Sequence, residues 1–122
     1  MSESMVDFSE GWNKIESAFG NVLATVEGDD LFDLLSAGGY ILLAESQELA
    51  PVDTGFLRAS GQLEREGDSV IVGYAAEYAP PVEYGTSKMP AQPFLRPAME
   101  ETDKMVEAMT AVHKVKLDEA GK

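Results

Sequence analysis

The sequence predicts an α+β fold, with two main helices packed on a small antiparallel β-sheet built from a hairpin, an N-terminal helical or irregular extension and a long C-terminal helix. Apolar residues recur at helical spacing in residues 31–50 and again after Pro93, and these two observations predict the helices. Apolar and polar residues alternate in residues 57–66, and residues 70–74 are mostly apolar and rich in β-branched side chains; this third observation predicts the hairpin. This order indicates one domain, which suits a length of 122 residues.

The composition excludes several classes of function. The chain has no cysteine, so we expect neither disulfides nor thiolate chemistry. Its N-terminus is acidic where a signal peptide is basic, and no apolar run approaches the roughly 20 residues of a membrane span, so we expect a soluble protein that is not exported by that route. A net charge of -13 argues against binding nucleic acid through its phosphates, and residues 1–55 hold eleven of the 22 acidic residues and a single basic one.

The first 30 residues are predicted to form an acidic N-terminal extension. Within it, Trp12, Ile15 and Phe19 have helical spacing, and Ser9 precedes them as a cap. The pattern predicts a short amphipathic helix in residues 1–30.

The first main helix is predicted over residues 31–50, with Asp29 or Asp30 as its N-cap. Two adjacent glycines, Gly38 and Gly39, lie in its middle, where each costs about 1 kcal/mol relative to alanine. Either the helix bends there or another element packs very close to it, and we favour close packing.

The hairpin is predicted from three consecutive segments. Residues 57–66 form the first strand because apolar and polar side chains alternate there, residues 67–69 form the turn, and residues 70–74 form the second strand. Two strands alone are marginally stable, so helices or neighbouring subunits must cover them.

A long segment rich in proline follows the hairpin. Residues 75–94 are predicted to be an ordered, extended loop with one helical turn near residues 78–84, since proline restricts its own backbone and that of the preceding residue. The last element is a long amphipathic helix from Pro93 or Pro97 to Lys116.

These elements give a predicted division of the chain into three parts. Residues 1–30 are the acidic extension, residues 31–117 are a single α+β domain, and residues 118–122 are a frayed tail.

One tripeptide raises the question of catalysis. Asp53, Thr54 and Gly55 reproduce the signature of aspartic proteases, in which two copies share a proton between paired carboxylates. The bulky Phe56 follows where such an enzyme needs a small residue. We therefore expect a structural turn formed by Pro51, Asp53, Thr54 and Gly55. A dimeric aspartic protease that uses Asp53 remains the alternative from another class.

No other residue pattern indicates chemistry. His113 is the only histidine, and we expect it at the surface or at a boundary rather than on a metal. Met99, Met105 and Met109 share a helical stripe, for which core packing is favoured over a partner-binding surface. We expect no cofactor and no enzymatic activity.

Three motifs in a fixed order point to a family. The chain contains an Ala-Pro-x-Asp-Thr-Gly-x-Leu-Arg turn, a Tyr-Ala-x-x-x-Glu-aromatic-Gly-Thr segment and a Pro-Ala-x-Pro-Phe-x-x-Pro-Ala lead into the last helix. The residues are Ala50, Pro51, Asp53, Thr54, Gly55, Leu57 and Arg58; Tyr78, Ala79, Glu83, Tyr84, Gly85 and Thr86; and Pro90, Ala91, Pro93, Phe94, Arg96, Pro97 and Ala98. In this combination the chain resembles the small tail-component or head–tail joining (tail completion, neck) family of long-tailed bacteriophages.

The resemblance implies a structural virion protein of a tailed phage or prophage. It implies a homo-oligomeric ring, with a hexamer favoured, that lies in the virion neck at the head–tail junction and is assembled in the cytoplasm of the bacterial host. Its neighbours would be head-connector or stopper proteins and tail-terminator or tail-tube proteins, and DNA would pass through without specific binding. A related neck role, as tail terminator or stopper, is the alternative.

The resemblance also gives the proline-rich loop a role. We expect the loop to contact a neighbouring subunit or ring, the alternative being a loop folded on its own domain. Glu83 and Arg96 could pair, within or between subunits, or Arg58 could instead pair with Asp53, and the spacing does not choose between these pairings. The candidate interface residues are Tyr78, Glu83, Tyr84, Gly85, Thr86, Met89, Phe94 and Arg96.

The resemblance also suggests a role for the acidic residues in the first part of the chain. An acidic channel repels phosphate and prevents DNA from sticking during ejection. The candidate residues for a channel lining are Glu27, Asp29, Asp30 and Asp33.

Overall fold

The computed structural model describes residues 9–20, 22–51, 55–67 and 69–120. The elements are α1 (Ser9–Phe19), α2 (Val22–Thr25), α3 (Gly28–Leu49), α4 (Phe56–Ala59), β1 (Gly61–Glu66), β2 (Ser69–Tyr74), α5 (Ala79–Tyr84), α6 (Leu95–Ala98) and α7 (Thr102–Ala120). Strands β1 and β2 form a two-stranded antiparallel sheet, and the long helices α3 and α7 pack with it. The predicted α+β class is confirmed.

Helix α3 lies at the centre, between the hairpin and α7, and its two glycines allow both contacts. A Cβ atom added at Gly38 would lie 2.9 Å from Sδ of Met109, and one added at Gly39 would lie 2.7 Å from Cδ1 of Leu63. Both distances are shorter than a van der Waals contact, so the absent side chains let the neighbouring elements approach. Because α3 continues through the pair without interruption, the prediction of close packing is confirmed.

The larger apolar cluster joins α1, α3 and α7. Ile15, Leu34, Met105 and Met109 are buried in it. The short N-terminal helix predicted from apolar spacing is α1, and its buried Ile15 ties it to the rest of the fold. The two methionines have the predicted role in core packing.

The prediction of an aspartate cap on α3 was wrong. The N-cap is Glu27, whose backbone is extended, and its side chain makes no capping hydrogen bond. Asp29 and Asp30 lie inside the first turn, where their charges favour the positive end of the helix dipole.

The hairpin begins later than predicted. Residues 56–59 form the single helical turn α4, and the strand starts at Gly61. Gly55 has φ of 75°, a conformation that redirects the chain before α4, and Leu57 is then buried in the core. The Ser60 hydroxyl closes this turn, because it donates to the Leu57 carbonyl and accepts from the Ala76 N–H. From there the register runs from Gly61 opposite Tyr74 to Glu66 opposite Ser69.

The predicted long C-terminal helix is two helices. Helix α6 ends at Ala98, and α7 begins at Thr102 and continues to Ala120, beyond the predicted end at Lys116. Between them, the N–H groups of Met99, Glu100 and Glu101 each donate to a carbonyl three residues earlier, which tightens the backbone and ends α6. This placement separates Met99 from the stripe that carries the two buried methionines of α7.

A second, smaller cluster lies under the proline-rich loop, with Phe94 and Leu57 among its buried members. Tyr74 packs against it, and the Tyr74 and Phe94 rings meet edge to face with centroids 4.9 Å apart. The Tyr74 hydroxyl also hydrogen-bonds Ser46 of α3. Because the Ser46 hydroxyl donates to the Leu43 carbonyl, it accepts from Tyr74.

Removing this hydroxyl should lower stability measurably. We expect Tyr74→Phe to reduce the free energy of unfolding by about 1 kcal/mol, because Ser46 loses a buried partner while the ring packing is retained. Tyr40→Phe is the matched control, since Tyr40 is an exposed tyrosine of α3. Urea unfolding of the two variants measures the difference, and equal effects would contradict the assignment.

Candidate functional site

Glu83 is a buried carboxylate that ties the proline-rich loop to α6. Its Oε1 accepts the backbone N–H groups of Phe94 and Leu95 at 2.9 and 2.8 Å, and its Oε2 accepts the N–H of Arg96 at 3.1 Å. The Arg96 side chain donates from Nε to Oε2 at 2.8 Å and from Nη2 to the Glu83 carbonyl at 2.7 Å. We call this arrangement, Glu83 with residues 94–96, the Glu83 clasp.

Prolines and a glycine around the clasp determine where α5 begins and ends. Helix α5 has Pro80 and Pro81 in its first turn, where proline favours helix initiation, and the predicted helical turn is confirmed. Gly85 then ends α5 with φ of 78°, and a Cβ atom there would lie 2.7 Å from the backbone nitrogen of Ala91. Only glycine fits this position, which returns the chain toward α6.

The rest of the loop is fixed by backbone hydrogen bonds. Thr86 and Met89 form an isolated antiparallel bridge, and the N–H of Gln92 donates to the Val82 carbonyl at 2.8 Å. The loop therefore has a defined conformation within its own subunit.

The clasp keeps its carboxylate ionised. Burial raises the pKa of Glu83, but the N–H groups of Leu95 and Phe94 and the guanidinium of Arg96 together outweigh burial and hold the pKa below its ordinary value. The Arg96 guanidinium also stacks on the Tyr84 ring, 4.7 Å from its centroid. The pair between Glu83 and Arg96, left open in the sequence as within or between subunits, forms within the chain.

The predicted interface residues fall into two groups. Phe94 and Glu83 are 2 % and 3 % exposed and hold the loop to its own domain. Tyr78 and Tyr84 are 40 % and 43 % exposed, and Thr86 is also at the surface.

The remaining members lie around these residues. Met89 and Gly85 are half-buried, and Arg96 is partly covered by its ion pair. Tyr78 also lies beside the exposed Phe56, with ring centroids 6.1 Å apart. The exposed rings of Tyr78 and Tyr84 therefore lie at the two ends of α5, the helix that carries Glu83.

Two residues of the predicted turn, Asp53 and Thr54, lie outside the described residues. The alternative pairing of Asp53 with Arg58 therefore also lies outside them. Pro51 and Gly55 are described, and Gly55 adopts the left-handed conformation on which α4 begins.

The acidic residues proposed as a channel lining lie at the start of α3, and three of them are paired. Asp29 contacts Arg65 of β1 at 2.9 Å. Asp30 and Asp33 both contact Lys116 of α7, at 3.0 and 2.7 Å, and their charges raise its pKa. Glu27 is exposed. These contacts link α3 to two other elements and reduce the net charge at this end of the helix.

An open apolar groove lies on the same side of the molecule as Tyr84. It has a volume of about 680 Å³, and all six residues of β2 line it, together with Leu35 and Leu42 of α3. Met105 of α7, Trp12 of α1 and Tyr84 also line it. We call it the β2 groove.

Neither the β2 groove nor the clasp was predicted from the sequence. The Glu83 and Arg96 pairing was the only signal of the clasp. The use of Glu83 as an acceptor for three N–H groups has no sequence signature, because it depends on how the loop returns to α6.

The described ranges contain no cluster of three or more histidine, aspartate or glutamate residues able to hold a metal ion. Among the described helices, none has the length and apolar character needed to cross a membrane.

Comparison with known protein families identifies a match over most of the fold. The family model HK97-gp10_like, described as "Bacteriophage HK97-gp10, putative tail-component", matches residues 14–85, more than half of the chain. The match extends from α1 to Gly85 and includes Glu83. No curated protein and no solved structure gives a significant match.

Proposed function

The chain belongs to the HK97-gp10-like family of bacteriophage tail components, and from this premise we propose that it is a structural protein of the virion neck. In this proposal, copies of the chain form a ring, with a hexamer favoured, that joins the head connector to the tail of a tailed phage or prophage. DNA passes through the ring without specific binding. The protein has no enzymatic role in this proposal and requires no cofactor.

The observation that carries the proposal is the exposed surface fixed by the Glu83 clasp. The hydrogen bonds of the clasp are made within the subunit, whereas Tyr78 and Tyr84 remain at its surface. Aromatic and arginine side chains are enriched among the residues that dominate protein interfaces. A surface that is already ordered loses little conformational entropy when it binds a neighbour.

The charge distribution supports passage of DNA. A net charge of -13 gives the ring a field that repels phosphate. We propose that Glu27 and the start of α3, including Asp29, Asp30 and Asp33, border the channel. The partial neutralisation by Arg65 and Lys116 fixes the position of these carboxylates and leaves an acidic surface.

Deletion of the gene from its phage or prophage tests the proposed function. We expect heads and tails to form but joined, infectious particles to fall by at least about tenfold, because the joining ring is missing. Electron microscopy of lysates and plaque counts measure this, and the wild-type gene supplied from a plasmid restores it. Joined particles at normal yield without the gene would overturn the proposal.

A point variant tests the role of the exposed aromatic surface. Tyr84→Ala should reduce joined particles while the purified protein still folds, because Tyr84 is 43 % exposed. Tyr40→Ala, which removes a tyrosine that is 58 % exposed on α3, is the matched control and should leave joining unchanged. Equal yields from the two variants would contradict an interface at Tyr84.

A further inference from the structure

We propose that the β2 groove of one subunit receives the loop formed by residues 85–93 of a second copy of the chain. The inference rests on the proposed ring and names the surfaces through which neighbouring subunits meet. It is a head-to-tail contact, because a loop on one subunit enters a groove on the next, and such contacts form a ring when the rotation between subunits closes.

The first argument is the open edge of β2. The N–H of Ala75 donates to the carbonyl of Ser60, the residue opposite it, at 3.1 Å. Because antiparallel pairs alternate between bonded and non-bonded, the N–H and C=O groups of Val70, Val72 and Tyr74 point away from β1. Within the described ranges, no other element takes a backbone hydrogen bond from these three residues. The edge therefore offers a row of donors and acceptors along the wall of the groove.

The second argument is that this edge lacks the usual protection. Exposed sheet edges normally carry charged residues or proline, which prevent pairing with another chain. Strand β1 has Glu64, Arg65 and Glu66, whereas β2 has neither a charged residue nor a proline along Ser69–Tyr74. The β2 edge is thus suited to contact an extended segment.

The third argument concerns charge and identifies the occupant. The loop of residues 85–93 contains Lys88 and no acidic residue, and Lys88 makes no ion pair within the part of the chain that the structure describes. Trp12 of α1 lines the groove, and exposed Glu16 lies one helical turn after it on the same side of α1. A second copy can therefore bring the positive side chain of Lys88 toward the carboxylate of Glu16, although the whole chain has a net charge of -13.

The side chains of the loop suit an apolar groove. Pro90, Ala91 and Pro93 are exposed in their own subunit, so their apolar side chains can be buried when the loop docks. In its own subunit the loop is fixed by the bridge between Thr86 and Met89 and by the Glu83 clasp. Because these contacts hold the loop on its own domain, the groove that it enters belongs to a neighbouring subunit.

Disulfide cross-linking tests this contact directly, because the native chain has no cysteine. Ser87 is exposed in the loop, and Ser69 lies on the groove wall. We expect the Ser69→Cys, Ser87→Cys double variant to form a ladder of covalent oligomers in purified virions under mild oxidation. A disulfide requires Cβ atoms about 3.5–4.5 Å apart, so a ladder reports close approach. Ser17→Cys with Ser87→Cys is the control, since Ser17 is exposed elsewhere on α1.

The outcomes separate this inference from the proposed function. If the virions contain the chain but the Ser69→Cys, Ser87→Cys variant gives no intermolecular disulfide, the groove contact is wrong while the virion role stands. A ladder of equal intensity from the Ser17→Cys, Ser87→Cys variant, or a disulfide within one chain, also overturns the contact. If mass spectrometry finds none of the chain in purified virions, the proposed function itself fails.

A charge reversal tests the choice of occupant. Lys88→Glu in the Ser69→Cys, Ser87→Cys background should reduce cross-linked product by about tenfold, since it places a second carboxylate near that of Glu16. Lys114→Glu makes the same charge change at an exposed lysine of α7 and should leave cross-linking unchanged. Equal reduction by both variants would show that overall charge, and not the contact of Lys88, controls association, and would overturn the assignment.

Discussion

Glu83→Ala is expected to lower the free energy of unfolding by about 3–5 kcal/mol, because three backbone N–H groups lose a shared charged acceptor and each unsatisfied group costs about 1–3 kcal/mol. The N–H groups of Phe94, Leu95 and Arg96 would lose their shared acceptor, and the Arg96 guanidinium would lose its carboxylate. A domain of this size has a total stability of about 5–15 kcal/mol, so the variant should be close to unfolding at physiological temperature.

Urea or guanidinium unfolding followed by circular dichroism measures this loss. Glu77→Ala removes an exposed glutamate from the turn before α5 and should change stability by less than about 0.5 kcal/mol. A loss below about 1 kcal/mol for Glu83→Ala would mean that solvent replaces the clasp at little cost.

The clasp also predicts a dependence of stability on pH. The folded pKa of Glu83 lies below its ordinary value of 4.5, so the ionised carboxylate contributes stability above that value. This contribution is lost as the pH falls through the folded pKa. Glu83→Gln cannot ionise, and its deficit relative to wild type should therefore be largest near neutral pH and shrink below about pH 5. A deficit that is constant from pH 7 to pH 3 would contradict an ionised Glu83.

Gly39→Ala is expected to lower the free energy of unfolding by about 1–3 kcal/mol, although alanine favours a helix over glycine by about 1 kcal/mol. The new methyl group would lie 2.7 Å from Leu63, 3.1 Å from Val70 and 3.5 Å from Val72. These side chains come from both strands of the hairpin, and the β-branched valines have few alternative rotamers. The hairpin must move away from α3 to accommodate the change.

Gly38→Ala is the matched control one residue away. Its methyl group would meet chiefly the Met109 side chain, whose Sδ would be 2.9 Å distant. Methionine is flexible enough to shift, so clash and helix propensity should nearly cancel, to within about 1 kcal/mol. Thermal unfolding of both variants measures the two losses of stability. Equal losses would contradict the expectation that the hairpin side of α3 tolerates a methyl group less well than the α7 side.

Much of this fold follows from local patterns in the sequence. Apolar spacing locates α1, α3 and most of α7, and the glycine pair indicates a helix that two elements approach closely. The errors occur where a short pattern is overridden by other contacts, either tertiary ones or local backbone hydrogen bonds. Alternation at residues 57–60 resembles a strand, but a glycine with positive φ and the burial of Leu57 produce a helical turn. No glycine or proline marks the break between Ala98 and Thr102.

The candidate site was less predictable than the fold. Pairing of Glu83 with Arg96 was one of the possibilities that the charges left open, and Tyr84, Met89 and Phe94 were candidate anchors in the loop. The burial of Phe94 in its own subunit, and the use of Glu83 as a cap for α6, depend on the path of residues 85–94. That path is set by contacts such as the one between Gly85 and Ala91, which no periodicity records.

The β2 groove has a consequence for the timing of assembly. Its lining comes from both α1 and α7, through Trp12 and Met105, so residues from opposite ends of the described chain must meet before the groove exists. During translation at about 5–20 residues per second, a nascent chain that still lacks α7 has no such binding surface. Subunits joined through this groove would therefore be recruited only after α7 has left the ribosome, which prevents neighbouring nascent chains on one messenger RNA from associating prematurely.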